Sequence, residues 1–237
     1  LEWSRKAGAG GSGPVYTKIR TGFPGDRTAF YQELAEQTLT TGTNQRRKIV
    51  LARPSSHDGR ILDSFEATFE VLMTDKYSSG PADGLSFNYG NIADSWEGSE
   101  SGPGTGFTVR LDVYGSDKGV ALRYDGADVV YNAMADVYDR ASDWAWARVS
   151  CSNQRVTVYF DGVKVCDRYT LDAFAPAANW KFGIGARCGT WYMTQRVRNV
   201  TIRGAVGDII PDYYGNPAVP GQTYTLPSPD PRRKHIA

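Results

Sequence analysis

The sequence predicts an all-β protein whose core is a sandwich of two antiparallel sheets with jelly-roll topology. Apolar and polar residues alternate along several stretches, most clearly at positions 65–73 and 107–114. A period of two places successive side chains on opposite faces of a strand, so one face is buried and the other is exposed. Many such short stretches, separated by turns, are typical of two packed sheets.

Composition supports the same fold class. Among 237 residues there are 26 glycines, 12 prolines, 14 tyrosines and 6 tryptophans, which suits strands joined by many turns. Long helical patterns are scarce. One segment leaves the choice open: at positions 28–39, Phe30 and Leu34 have the spacing of a short helix, but an irregular strand fits equally well.

The strand pattern divides the chain into three parts. Residues 1–14 are rich in glycine and are expected to form a linker or arm. Residues 15–204 are expected to form the sandwich, and residues 205–237 an extended, proline-rich tail. Within the sandwich, strands are expected at 48–52, 65–73, 85–89, 107–114, 120–124, 127–131, 146–151, 155–160, 163–167, 181–186 and 195–203.

The expected hairpins constrain the three cysteines. Turns of two residues, at Asn153-Gln154 and Asp161-Gly162, join three consecutive strands, and Cys151 and Cys166 lie on the outer two. With this register the two side chains point to opposite faces, too far apart for a disulfide. A single disulfide would therefore involve Cys188, and the alternative is three free thiols.

Three motifs follow one another along the chain. The first is the turn Ala82-Asp83-Gly84, the second is the strand VRLDVY at 109–114, and the third is the loop GIGARCG at 183–189. In this order they resemble motifs of the legume-type lectins and their wider concanavalin A-like relatives, whose second motif has the pattern VEFDTY. The resemblance covers roughly residues 49–204, and it implies the two-sheet fold and a sugar-binding function.

The resemblance also implies a sugar site. In the family the aspartate of the turn, often after a cis Ala-Asp bond, binds the sugar, a glycine-rich loop supplies backbone N–H groups, and the third motif sets specificity. A carboxylate accepts strong hydrogen bonds from neighbouring hydroxyls, and an aromatic ring covers the apolar face of the sugar. The residues assigned in this way to ligand binding are Asp83, Gly84, Gly104, Gly106, Tyr114, Arg187, Gly189 and Trp191.

These residues also have structural interpretations. Asp83 alternatively caps its own turn through side-chain to backbone hydrogen bonds. Trp191, and Trp96 in the long loop at 91–106, alternatively pack beneath a loop instead of stacking on a ligand. Arg187 alternatively is a solvated surface residue.

The second motif implies a reduced metal site. Calcium favours clustered oxygen ligands, and Asp112, the Tyr114 carbonyl, Ser116 and Asp117 are the candidates. The position of the family's glutamate ligand is taken by Arg110. An Arg110–Asp112 ion pair is therefore the alternative to calcium on this strand.

Charge, hydropathy and carboxylate spacing exclude several functions. The formal net charge of +1 gives no single-sign field that would favour nucleic acid. No apolar run approaches the ~20 residues that a membrane span needs. Endoglucanases of the same superfamily carry an E-x-D-x-x-E strand, and retaining hydrolysis needs two carboxyl groups about 5 Å apart. No strand has that pattern, so the chain is not expected to be an enzyme.

Together these features indicate a non-catalytic, lectin-like carbohydrate-binding or adhesion module of an extracellular or surface-exposed, secreted protein. Its expected partner is a glycan or glycoprotein. The sequon at Asn199 is a candidate glycosylation site, and a glycan there would be consistent with secretion. The alternative is a structural subunit of an extracellular or particle assembly, in which the two tails contact neighbouring subunits and cause self-association.

Overall fold

The computed structural model describes residues 2–7, 14–20, 28–51 and 62–206. Its one short helix in these ranges is α1 Val137–Arg140, and all other regular elements are strands. In chain order the strands are β1 Glu2–Ala7, β2 Pro14–Arg20, β3 Thr28–Leu34, β4 Gln37–Thr40, β5 Gln45–Val50, β6 Leu62–Thr74, β7 Gly84–Gly90, β8 Phe107–Asp112, β9 Gly119–Tyr124, β10 Ala127–Ala133, β11 Ala145–Ser152, β12 Arg155–Phe160, β13 Val163–Thr170, β14 Lys181–Cys188 and β15 Thr194–Val206.

The strands form two antiparallel sheets, which confirms the predicted all-β sandwich. The nine-stranded sheet has the order β1-β2-β3-β15-β6-β11-β12-β13, with β4 also paired to β15. The six-stranded sheet has the order β10-β9-β8-β7-β14-β5. The late strands β14 and β15 lie between early ones, so the chain crosses repeatedly from one sheet to the other. Within the described ranges, no helix has the length and apolarity needed to cross a membrane.

The N-terminal region differs in part from the sequence expectation. The segment left open between helix and strand forms β3 and β4, and both pair with β15. Within residues 1–14, predicted as a linker or arm, Glu2–Ala7 forms β1 and pairs with β2. An unpaired strand edge offers a row of free backbone groups, and a neighbouring extended segment satisfies them. Of the expected tail, Ala205 and Val206 complete β15, and residues 207–237 lie outside the described residues.

Aromatic side chains fill the space between the two sheets. The rings of Phe65 and Phe182, which belong to different sheets, have centroids 4.8 Å apart. Phe69 and Phe87 make a second contact across the core at 5.3 Å, and Tyr89 stacks on Phe182 at 4.5 Å. Rings packed in edge-on and stacked arrangements bury large apolar areas with a defined orientation. This core fixes the six-stranded sheet, one end of which carries the candidate site.

The three cysteines are all buried, and none is bonded to another. Cys151 and Cys166 share the core-facing side of the nine-stranded sheet, so the prediction of opposite faces is wrong. The pairing of β12 with β13 shifts register between Tyr159, opposite Lys164, and Val158, which places Cys166 opposite Val158 and not opposite Thr157. Val158 in turn lies opposite Val149, whose side chain shares a face with that of Cys151.

Candidate ligand-binding site

An open cleft of about 900 Å³ lies at one end of the six-stranded sheet. Four segments meet there: β5 with the turn before it, the turn before β7, the loop between β7 and β8, and the end of β14 with the loop that follows. Tyr114, just after β8, completes the wall. The cleft is lined by Asn44, Arg46, Arg47, Lys48, Ala82, Asp83, Asp94, Ser95, Trp96, Glu97, Tyr114, Arg187, Cys188, Gly189, Thr190 and Trp191.

Asp83 enters the cleft from a turn that two neighbouring strands hold in place. The Ala82–Asp83 peptide bond is cis. The Asp83 N–H donates to the Arg187 carbonyl (3.0 Å), and the Asp83 carbonyl accepts from the Val113 N–H (3.0 Å). At Gly84 a Cβ would overlap a backbone carbonyl of β8, so the close approach of the two strands requires glycine. These contacts fix the backbone of Asp83 and therefore the position of its Cα at the edge of the cleft.

The Asp83 carboxylate is largely buried and pairs with a guanidinium. Arg187 Nε donates to Asp83 Oδ2 (2.7 Å), and Arg187 Nη2 lies 3.2 Å from Glu100 Oε1. The side chains of Asp83 and Glu100 are 9% and 6% exposed, whereas that of Arg187 is 35% exposed. Burial raises the pKa of Asp83, and the positive charge of Arg187 opposes this rise. Arg187 therefore links two buried carboxylates and still reaches the cleft.

Buried polar contacts support the end of β14 beneath this ion pair. Gln195 Nε2 donates to the Arg187 carbonyl (2.8 Å). The Cys188 thiol donates to the Ala82 carbonyl (Sγ to O, 3.2 Å) and lies 3.3 Å from Thr40 Oγ1. Hydrogen bonds within a buried layer restrict the positions that the backbone can adopt. The Arg187 backbone and the Ala82–Asp83 turn are therefore held by one connected set of contacts.

An aromatic cluster borders the cleft. Trp191 packs edge-on against Tyr114, with ring centroids 5.1 Å apart, and stacks on Tyr77 at 6.5 Å. Gly80 allows this arrangement, because a Cβ there would lie only 3.2 Å from the Trp191 ring. Tyr114 is 46% exposed. An exposed ring held in one orientation suits the apolar face of a sugar or another flat, partly apolar ligand.

The cleft brings together five of the eight residues assigned to ligand binding: Asp83, Tyr114, Arg187, Gly189 and Trp191. Gly84 lies next to Asp83 but is buried against β8.

Gly104 and Gly106 do not line the cleft, which differs from the sequence expectation. The Gly106 N–H donates to Asp125 Oδ1 (2.8 Å) at the β9–β10 turn, and a Cβ at Gly106 would overlap the Tyr89 carbonyl. Gly104 is exposed near Gly126 of the same turn. The glycine-rich loop therefore packs against the β9–β10 hairpin. Gly106 allows a close approach of two backbone segments, whereas Gly104 has open space around it and a positive φ of 80°.

Trp96 lines the cleft, but its ring packs mainly on β14. Gly183 and Gly185 leave a flat surface there, since a Cβ at Gly185 would lie 2.5 Å from the Trp96 ring and 2.8 Å from the Ser99 backbone nitrogen. The indole therefore anchors the β7–β8 loop to the sheet. This supports the structural interpretation of Trp96 over ligand stacking.

The residues expected to hold calcium do not assemble into a metal site. Asp112 Oδ1 accepts the Tyr114 N–H (3.0 Å), and Asp112 Oδ2 lies 3.6 Å from Arg110 Nη1. Ser116 Oγ donates to Asp117 Oδ1 (2.9 Å) in an exposed turn. Among the residues that the structure describes, no group of three or more acidic, histidine or cysteine side chains could hold a metal ion. The residue set does not fit calcium, and Asp112 has the alternative partner, Arg110.

Asp112 is the most strongly perturbed acid near the cleft. Burial raises its pKa to about 6, and the negative charges of Glu100 and Asp83 act in the same direction. The Tyr114 N–H and the Arg110 guanidinium oppose the rise. Three buried carboxylates thus lie within electrostatic range of one another, with arginines as the paired cations.

The sequon residue Asn199 is exposed on the nine-stranded sheet, away from the residues that line the cleft. It lies at a β-bulge in β15 with φ of 53°. Its Nδ2, the atom to which a glycan would be attached, donates to Glu70 Oε1 (2.8 Å). Glycosylation at this position stays a prediction.

Several residues in or beside the cleft were not identified from the sequence. Glu100 is the most important, because it is buried and bridged to Arg187, yet a glutamate in a long loop has no periodic signal. The basic run Arg46, Arg47 and Lys48 lies on the edge strand β5 and lines the cleft. The run is visible in the sequence, but the side of the fold that it faces is not.

Solved structures of legume-type (L-type) lectin domains superpose on the chain, which therefore has the fold of this class. The calcium-bound VIP36 exoplasmic/lumenal domain gives a TM-score of 0.55 at 15% identity, covering 81% of this chain and 89% of that one. The potassium-bound carbohydrate recognition domain of Emp46p gives a TM-score of 0.54 at 14% identity, covering 79% of this chain and 86% of that one. Peanut lectin gives a TM-score of 0.54 at 17% identity, covering 82% of this chain and 99% of that one. No family model and no curated protein sequence matches the chain.

Proposed function

We propose that this protein is a non-catalytic, lectin-like module that binds carbohydrate in the cleft. The observation that carries the proposal is the buried Asp83 carboxylate, held in fixed orientation in an open cleft that also presents the Tyr114 and Trp191 rings. A carboxylate can accept hydrogen bonds from two adjacent sugar hydroxyls, and a ring can cover the C–H face of the same sugar.

Structures with the same fold support this proposal. The VIP36 domain is known in forms bound to mannose, to Man2 and to Man3GlcNAc, and the Emp46p domain is described as a carbohydrate recognition domain. We therefore propose a glycan or glycoprotein as the partner. The VIP36 domain is exoplasmic or lumenal, which supports an extracellular or surface location for this chain. Because a fold hosts many functions, the proposal depends on the site.

The arrangement of carboxylates favours binding over hydrolysis. A glycosidase needs one carboxylic acid that donates a proton and a second carboxylate that acts as nucleophile or base. Asp83, which lines the cleft, and Glu100, which lies beside it, are both paired with Arg187, so each carboxylate already has a fixed hydrogen-bonding or charged partner. An arginine shared in this way orients Asp83 as a hydrogen-bond acceptor, which suits ligand binding.

A glycan array probed with wild type, Asp83→Asn and Glu66→Gln tests this function. The Glu66→Gln variant is the matched control, because Glu66 also pairs with an arginine, Arg148, but on the solvent-exposed face of the nine-stranded sheet. Wild type and Glu66→Gln should bind the same glycans. Asp83→Asn should bind them about 10- to 100-fold more weakly, the loss expected for one hydrogen bond to a charged acceptor.

Binding by Asp83→Asn equal to that of wild type would place the ligand elsewhere. A wild-type protein that binds no glycan would overturn the proposed function. The remaining candidate would then be the structural subunit, whose test is self-association of the full chain compared with a chain that ends at Val206.

A further inference from the structure

We infer that Arg187 positions Asp83 for ligand binding as a fixed side-chain cation, so that the cleft works without a metal ion. This inference rests on the proposed carbohydrate-binding function and concerns how the same site is organised. Two proteins with this fold have calcium-bound and potassium-bound structures. In this chain the candidate calcium ligands do not fit a metal, and guanidinium groups lie beside Asp112 and Asp83.

Arg187 joins three segments that are distant in sequence. It lies on β14, whereas Asp83 precedes β7 and Glu100 lies in the β7–β8 loop. Glu100 is itself held in place, since Ser99 Oγ donates to Oε2 (3.1 Å) and Ser101 Oγ donates to Oε1 (3.3 Å). The guanidinium is thus anchored by two nearly buried carboxylates. One of these, Asp83, faces the cleft. Its orientation is set by the positive charge of Arg187, which is part of strand β14.

A divalent cation would have to compete with these guanidinium groups. Carboxylates buried to this extent need a paired charge, and Arg187 already lies within 3.2 Å of both Asp83 and Glu100. Arg110 lies 3.6 Å from Asp112 and 3.2 Å from Asp128. Calcium needs roughly six to eight oxygen ligands. The two positive charges of a calcium ion would also lie near the fixed charges of Arg187 and Arg110, and this repulsion disfavours calcium binding.

The ion pair leaves hydrogen-bonding capacity for a ligand. A carboxylate has roughly four lone-pair sites. At Asp83 one is used by Arg187 Nε, and the Gly189 N–H also donates to this carboxylate. Arg187 has several N–H donors and is partly exposed in the cleft. Asp83 and Arg187 together therefore offer acceptors and donors to sugar hydroxyls without a bound metal.

Thermal unfolding of the full chain tests metal independence directly. An ion that binds the native state raises Tm by mass action. We expect the same Tm in EDTA and in millimolar calcium, and the same glycan affinity in both. A rise of Tm with calcium, or a loss of glycan binding in EDTA, would overturn the inference.

The role of Arg187 is tested by Arg187→Met and Arg187→Lys, with Arg148→Met as the matched control. Arg148 Nε donates to Glu66 Oε2 (2.8 Å) outside the cleft. With EDTA present, Arg187→Met should weaken glycan binding by at least about tenfold, because Asp83 loses its charged partner. Arg187→Lys should bind more tightly than Arg187→Met but less tightly than wild type, since lysine keeps the charge and lacks the planar fork. Arg148→Met should bind as wild type does.

The outcomes separate this inference from the function on which it rests. If wild type binds glycan and a folded Arg187→Met variant binds it equally well, the proposed role of Arg187 is overturned. The lectin function would remain supported. If Arg187→Met does not fold, the comparison of Arg187→Lys with wild type decides the same question. A wild-type protein without any glycan binding overturns the proposed function, whereas the calcium measurement still decides whether the site holds a metal.

Discussion

Asp112 shows how a single buried carboxylate links the site to the stability of the fold. It loses most of its hydration on folding, and Arg110 at 3.6 Å compensates only in part. Its pKa rises from 3.8 to about 6. Between these values the folded protein binds more protons at Asp112 than the unfolded chain does. Lowering the pH from about 6 to about 4 therefore stabilises the native state through this residue.

Replacement of Asp112 by asparagine should remove this contribution. Wild type is expected to lose up to about 3 kcal/mol more stability than Asp112→Asn as the pH rises from about 4 to about 6, as the pKa shift implies. Urea unfolding at a series of pH values, in EDTA, measures the difference. Parallel pH profiles for the two proteins would show that Asp112 has an ordinary pKa in the folded state.

Gly185 is a second residue whose role is local and steric. A Cβ there would meet the Trp96 ring at 2.5 Å and the Ser99 backbone nitrogen at 2.8 Å. Gly185→Ala should therefore lower the free energy of unfolding by about 1–3 kcal/mol, the usual cost of overpacking, and should displace the loop that carries Glu100. Gly42→Ala is the control, because its Cβ would approach only the flexible Gln45 side chain. Equal urea midpoints for both variants would contradict this explanation.

At the scale of single residues, the sequence predicts some of the site and not the rest. Asp83 was identified because its turn has a motif, and Arg187, Gly189 and Trp191 because they belong to another. Glu100 was not identified, since its partner is 87 positions away and no periodicity links them (187 − 100 = 87). Pairing of this kind is decided by tertiary packing.

At the scale of elements, strands and most hairpins follow from the period of two and from turn chemistry. The Asp161-Gly162 turn and the strands on either side of it form as expected. The face on which Cys166 lies was predicted wrongly, because a one-residue register shift reverses every side chain beyond it. Bulges have no strong sequence signal, so the facing of residues beyond them is the least predictable part of the fold.

The inner face of β14 is expected to be the most sensitive element. Phe182 contacts Phe65 of the opposite sheet and Tyr89 of the neighbouring strand, and it is fully buried. Phe182→Ala should cost about 3–5 kcal/mol, and Phe182→Leu should cost less because part of the volume is kept. Tyr169→Ala, at a position 37% exposed, is the comparison and should cost least. Chemical unfolding of the three variants gives the order, and a Tyr169→Ala loss as large as that of Phe182→Ala would refute it.

At the scale of the whole molecule, the sandwich is held together by packing and not by covalent links between strands. Cys151, Cys166 and Cys188 are buried in both sheets without bonding to one another. We therefore expect the same Tm with and without a reducing agent. Scanning calorimetry measures this, and equal mobility on reducing and non-reducing gels is the control. A Tm that falls on reduction would reveal a disulfide that the packing does not require.

The candidate site is formed only when the whole sandwich has folded. Its walls come from residues 44, 46–48, 82–83, 94–97, 114 and 187–191, so no single stretch contains it. The sequence predicts the fold that brings these segments together, but the basic side chains of β5 could not be placed in the cleft before the sheet order was known.

The Cys188 thiol, beneath the Ala82–Asp83 turn, allows opening of the cleft region to be measured in the native protein without an added label site. Cys188 donates to the Ala82 carbonyl directly behind Asp83, and it is only 1% exposed. A thiol-reactive dye can reach it only when the end of β14 opens, so its labelling rate measures the frequency of that opening. Cys151 and Cys166, in the other sheet, provide internal references in the same tube. A ligand that occupies the cleft should slow labelling of Cys188 selectively, which would allow binders to be detected before any of them is identified.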